Sequence, residues 1–200
     1  MLASEMALAK TTRTRRKEHL LPSIGKRKTP PDLRFLEVDG RRWRRSDPRI
    51  PASLRQQVVD ELMSARRAVA AAADDADRRS ARRRVHDAKI ALGERGRPWW
   101  SKPSGADVAL RIDAAIRALL RSRRDGATIC PSEPARIVDG ESWRRLLPTV
   151  RERAVRLAGA GDVVILRGGA PARDRPTKGV LRYRLAGAGR DLKKGSASKS

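Results

Sequence analysis

Read for chemistry, the sequence offers little that could make or break a bond. It holds one cysteine, Cys130, so no intramolecular disulfide can form. Cys130 stands two residues ahead of an expected helix start at Ser132, where the dipole would favour a thiolate. With no histidine near it in sequence, it is expected instead as a small buried apolar residue. The two histidines are His19 and His86. His86 and Asp87 are neighbours on an expected helix, so their side chains diverge by about 100° and form no dyad. There is no Cys/His cluster of zinc-site spacing, no useful pair of carboxylates, no phosphate-binding loop and no dinucleotide fingerprint. No catalysis, cofactor or metal is expected.

The chain is better equipped to hold anions. Among 200 residues, 47 Lys and Arg oppose 23 Asp and Glu, a net charge of +24. Such a charge repels itself in the folded state and calls for a partner. The 37 Arg against 10 Lys, with abundant Ala, Gly and Pro, are what GC-rich codons produce. That bias explains the choice of Arg but not the excess of bases, which points to a polyanion, nucleic acid before anionic membrane. The charge is spread evenly: +6 over residues 1–34, +7 over 35–103, +8 over 104–186 and +3 over 187–200.

Spacing picks out particular bases. Arg151, Arg153 and Arg156, with Thr149 just before them, fall off the apolar positions of one expected helix. Arg173, Arg175 and Lys178 share a Pro/Gly-rich loop. Arg182 and Arg184 alternate with Leu181, Tyr183 and Leu185, which makes one face of a strand basic. Arg78, Arg79, Arg82, Arg83 and Arg84 cluster at the start of another helix, either as a phosphate-contacting patch or as a solvated face with paired acids. Trp99-Trp100, flanked by Arg97 and Lys102, could stack bases. In a chain with only six aromatics, this pair is expected rather to seal a small core, as are Trp43 and Trp143.

The elements that must position these residues follow from pattern. Residues 1–33 have no apolar periodicity and contain Pro30-Pro31, so they are expected as a disordered basic arm. Phe35–Val38 and Arg41–Arg44 are expected to pair across an Asp39-Gly40 type I′ turn, with Phe35 packed on Trp43. Pro51 opens a helix over 52–73, whose inward face is Leu54, Val58, Leu62, Ala65 and Val69. Asp75 is expected to cap a second, antiparallel helix over 76–92, with Val85, Ala88 and Leu92 inward. The Pro-rich run from Arg97 to Gly105 marks a domain boundary.

Beyond it the pattern gives a helix over 107–123, an extended Thr128–Cys130 and a brief helix capped by Ser132, with a further turn expected at Trp143–Leu147. A third helix runs from Pro148 to Ala158, and strands follow at Val163–Leu166 and Val180–Leu185. Residues 187–200 are expected as a second disordered basic tail. This is the order of a winged helix-turn-helix, in which the third helix lies in the major groove and the final hairpin is the wing. The fold class is thus α+β and mainly helical: a β-hairpin with a helical hairpin over 34–103, then a winged-helix domain over 107–186.

The stretch from Ile112 to Leu185 resembles a bacterial family of uncharacterised winged-helix-like domains. The likeness rests on Thr128-Ile129-Cys130-Pro131-Ser132-Glu133, Trp143-Arg144 and the Lys178-Gly179 step. It implies a fold and no activity. The first half, VDGRRWRRSDPRIP to ALGERGRPWW, is similar to small bacterial proteins of unknown function, some labelled Tol-type biopolymer transporters. The longest membrane-like stretch, Ala68–Ala73, is far too short to span a bilayer, and transport is not expected.

The expected function is nucleic-acid binding, DNA before RNA. Thr149, Arg151, Arg153, Arg156, Arg173, Arg175, Lys178, Arg182 and Arg184 would contact phosphates more than bases. Two other readings stay open: a protein-interaction adaptor that docks through the winged helix, and an RNA- or ribosome-associated protein. A cytoplasmic location is expected, since the start of the chain has the charge order opposite to a secretory signal.

Overall fold

A computed structural model describes residues 34–172 and 179–187. The expected arm, the expected tail past Gly187, and Arg173, Arg175 and Lys178 lie outside the described residues. The protein is mixed α+β and mainly helical, as expected.

Strands β1 (Phe35–Val38) and β2 (Arg41–Arg44) form the first hairpin. Asp39 and Gly40 both have positive φ, 51° and 68°, as a type I′ turn requires. The two-residue turn fixes the register, with Val38 opposite Arg41 and Leu36 opposite Trp43. Phe35 therefore faces Arg44, and the expected Phe35–Trp43 contact does not form, because side chains alternate faces along each strand. Phe35 instead meets Trp100 edge-on at 5.4 Å, and Trp43 stays 42% exposed beneath the Lys89 ammonium.

Helices α1 (Ala52–Ala70) and α2 (Asp75–Ala91) pack as the expected antiparallel pair. Pro51 stands one residue outside α1, and the cap of α2 is Asp74, not Asp75. The Asp74 carboxylate accepts from the Asp77 N–H at 2.8 Å, the spacing an N-cap needs. Leu54, Val58, Leu62 and Ala65 are buried as their periodicity demands. So is Glu61, which no apolar pattern would include; the Arg84 guanidinium donates two bonds to it, at 2.8 and 2.9 Å.

Helix α3 (Gly105–Arg121) starts two residues earlier than expected. Ser104 and Asp107 form a reciprocal capping box there. Ile112, Ala115, Ile116 and Leu119 are fully buried along it. Short strand β3 (Thr128–Ile129) leads to α4 (Ser132–Asp139). Ser132 does not cap this helix; it is its first residue, and the Glu133 carboxylate reaches back to accept from the Cys130 N–H at 2.6 Å. A 3₁₀ turn, Gly140–Leu146, joins α4 to α5 (Leu147–Gly159), which has Pro148 in its first turn.

Strands β4 (Val163–Arg167), β5 (Ala170–Pro171) and β6 (Leu181–Leu185) complete a four-stranded antiparallel sheet in the order β3-β6-β4-β5. Sequence pattern had β5 inside a loop; it pairs with β4 across Gly168-Gly169. Val150, Ala154 and Leu157 of α5 and Tyr183 of β6 are buried in a core that continues through α3 to Ala88, Leu92 and Val58. The apolar cluster thus crosses the Pro-rich segment between the two halves without a break.

Candidate nucleic-acid interface

The arginines of the described residues sort into two populations. The first faces inward onto acids. On α3, Arg111 donates to Asp47 at 3.0 Å, Arg117 to Asp162 at 2.7 Å, and Arg121 to Asp87 at 2.8 Å. Arg123 donates to Gln57, to the Thr128 carbonyl and to Glu133. The three bonds of Arg111, Arg117 and Arg121 each join α3 to a different segment, and Arg123, just past its end, ties that turn to α1, β3 and α4.

Asp47 is fully buried and held from two sides. Arg49 forks onto both its oxygens, at 3.0 and 2.8 Å, and Arg111 shares Oδ2. Burial alone would raise the Asp47 carboxyl, but the bonds from Arg49 and the charges of Arg111 and Arg49 hold it below the usual carboxylate range. Burial pulls the Arg111 guanidinium below its ordinary value. One nitrogen of Arg111, Nη2, is buried with no acceptor among the described residues.

The second population has no acidic partner. Arg151, Arg182 and Arg184 make no ion pair among the described residues. Arg182 is exposed on β6, opposite Leu166, and Arg184 is half-buried between Val164 and Thr128. The Nε atoms of Arg151 and Arg184 are buried without an acceptor among the described residues, and the buried Tyr183 hydroxyl has no partner among them. Burial raises the Tyr183 phenol, and the Arg151 charge opposes that rise, which places Arg151 near it.

The α5 candidates therefore divide. Arg153 forks onto the buried Asp113, to which it donates through Nε at 2.8 Å and through Nη2. Arg156 is exposed, with a loose Glu152 contact at 3.4 Å. Thr149 is half-buried in the first turn of α5. The α2 cluster divides in the same way. Arg84 is bound to Glu61 and Arg78 to Asp75, while Arg79, Arg82 and Arg83 are exposed without an acidic partner among the described residues.

The tryptophans pack as expected in part. Trp99 and Trp100 are half-buried and meet edge-to-face at 5.0 Å, and the Trp99 Nε1–H donates to the Arg45 carbonyl at 3.1 Å. Arg34 and Arg44 sit over the Trp100 ring. Trp143 is flanked by Arg136 and Arg144, and Trp43 lies too far out to seal a core. Cys130 is half-buried, and His86 is exposed with Nδ1 3.0 Å from Arg95. Among the described residues, no three His, Cys, Asp or Glu side chains are placed to share a metal ion. No described helix is long and apolar enough to cross a membrane.

The buried acids Glu61 and Asp113 interrupt the apolar pattern of their helices, and Asp47 stands in a loop that has none, so apolar pattern singled out none of the three. Asp47-Pro48 did carry a signal: the Asp47 side chain accepts from the Arg49 N–H two residues on, a turn that Asp favours before Pro.

No curated protein matches this chain. Residues 109–186, from the second turn of α3 to the end of β6, carry a domain of the family described as protein of unknown function DUF3253.

Proposed function

We propose that the protein binds nucleic acid, DNA in preference to RNA, with the C-terminal elements acting as a winged helix. What supports this is the sorting of the arginines. Arg182 is exposed and Arg151 and Arg184 are half-buried, and none of the three meets an acid among the described residues. Guanidinium donors without carboxylates suit phosphate oxygens, which Arg binds through its planar fork. Arg156 joins them from α5, and Arg173, Arg175 and Lys178 extend the set by sequence. Arg153 serves Asp113 and is left out of the contact set.

The reading is tested by titrating salt against binding to duplex DNA, single-stranded DNA and RNA. Affinity should fall steeply with salt, and each phosphate contact removed should lower the slope of log K against log[salt] by about 1. The pairs Arg151→Gln with Arg156→Gln, and Arg182→Gln with Arg184→Gln, should each flatten it. Absence of binding to any of the three polymers at low salt would overturn the reading.

One observation favours the adaptor reading. Leu36, Val38 and Trp43 are exposed together on the hairpin beside a wide groove. Exposed apolar side chains of this kind mark protein contacts. That reading requires a protein that stays bound after nuclease treatment and is released by Trp43→Ala.

A further inference from the structure

A cavity of about 410 Å³ opens between the segment Arg95–Pro103, the first turns of α3, and the junction of α4 with the 3₁₀ turn. Its size falls within the range of small-molecule pockets, about 300–1,000 Å³.

Its lining combines two chemistries. Trp99, Trp100, Leu110, Val138 and Leu146 supply an apolar wall. Leu110 is 48% exposed on a helix whose other large apolar residues are covered. Around this wall stand Arg49, Arg95, Arg97, Lys102, Arg111 and Arg145, against Asp107 and Asp139. Even with Asp47 behind them, six cations face three carboxylates.

Those carboxylates are already engaged. Asp107 belongs to the capping box, Asp139 is held by Arg145, and Asp47 is shared by Arg49 and Arg111. Arg97 and Lys102 are exposed and have no acidic partner within ion-pair distance among the described residues. Arg111 adds a buried charge with one nitrogen unmatched. The largely buried charge of Arg111 is screened less than the exposed charges of Arg97 and Lys102.

The site is also preformed. Arg44 donates to the Gly96 carbonyl at 2.9 Å and Ser46 to Glu94 at 2.9 Å. Arg49 donates to the Trp99 carbonyl at 2.9 Å. With the Trp99 indole on Arg45, these bonds fix the segment that carries the tryptophans. A wall held in place before binding loses little freedom on binding.

We propose that this cavity binds a small organic anion, a carboxylate or phosphate group on an apolar, ring-sized body. The ring lies against the Trp99, Leu110 and Leu146 wall, and the anionic group is held by Arg97, Lys102 and the field of Arg111. This site does not depend on the nucleic-acid reading.

The test titrates the full chain with indole-3-acetate and with adenosine 5′-monophosphate, following the indole N–H signals of Trp99 and Trp100 by NMR. Inorganic phosphate, neutral indole and adenosine serve as controls. At least one anion should saturate a single site with Kd below about 1 mM, with its controls at least about ten-fold weaker. Whether the carboxylate or the phosphate binds tighter identifies the head group. Leu110→Asp, at a half-exposed position, and the pair Arg97→Glu with Lys102→Glu should each weaken binding about ten-fold or more. Both variants should unfold at the wild-type temperature.

The proposal is overturned if neither anion saturates by about 10 mM, or if both variants bind as the wild type does. It is overturned equally if Arg97→Glu with Lys102→Glu lowers DNA binding while no small anion binds at all. That last result would leave the nucleic-acid reading standing.

Discussion

The Asp47 region and the α5–β6 region use the same residue, arginine, in opposite ways. At Asp47, two guanidinium groups converge on one fully buried carboxylate and tie loop 45–51 to α3. On α5 and β6, Arg151, Arg182 and Arg184 reach no carboxylate among the described residues, and two Nε atoms are buried unmatched. The first arrangement suits stability, because the charges satisfy each other. The second leaves the exposed Arg182 and the half-buried Arg151 and Arg184 without a carboxylate among the described residues. In so basic a protein, charge alone identifies no site; the two regions differ in whether an acid has been supplied.

The contrast breaks most visibly at Asp47. Asp47→Asn leaves Arg111 buried beside a neutral group, and removing one partner of a buried pair costs about 3–5 kcal/mol. Denaturant unfolding measures this. The same carboxyl sets an acid limit. Its folded pKa is below its unfolded one, so its stabilisation is present above the unfolded value and is lost as pH falls through the folded value. Wild-type stability should therefore drop below about pH 4, and Asp47→Asn should lack that part of the drop.

A smaller effect is expected at Gly93, which has φ +78°. A Cβ there would lie 3.2 Å from Trp99 Cδ1 and 3.4 Å from Asp47 Cβ. Gly93→Ala should cost about 1–2 kcal/mol from backbone conformation, and more if Trp99 cannot shift. Loss of the Trp99 fluorescence environment would accompany it.

On the other side of the comparison the sign reverses. Tyr183→Phe removes a buried hydroxyl that has no partner among the described residues, so the change should be neutral or stabilising by up to about 1 kcal/mol. Smallest of all, Arg182→Gln should move stability by no more than about 0.5 kcal/mol. Large destabilisation at Arg182 would show that it belongs to the fold and would erase the distinction.

The elements were largely legible because their signals are local. Asp39-Gly40 dictated its turn, and Leu54, Val58, Leu62 and Ala65 their helix face. Boundaries slipped where a competing side chain took the cap: Asp74 for Asp75, and Ser104 ahead of Asp107; at α4 no side chain caps, and Pro131 stands where Ser132 was expected. Strand β5 is two residues long and its composition is that of a loop. The candidate site was legible only as a set of bases. Which of them meet an acid depends on partners far along the chain, 40 residues between Asp113 and Arg153 and 64 between Asp47 and Arg111. No periodicity encodes such distances.

Helix α3 bears on how the molecule comes apart. The DUF3253 match opens at residue 109, inside α3, yet Ser104 and Asp107 cap that helix and Arg111 and Arg121 anchor it to Asp47 and Asp87. A fragment cut at the edge of the match would lose the cap and strand two guanidinium groups, and α3 would present to water the side that α2 covers. The halves share one keystone, so they should melt in a single transition, and amides of α3 should be among the last to exchange with solvent.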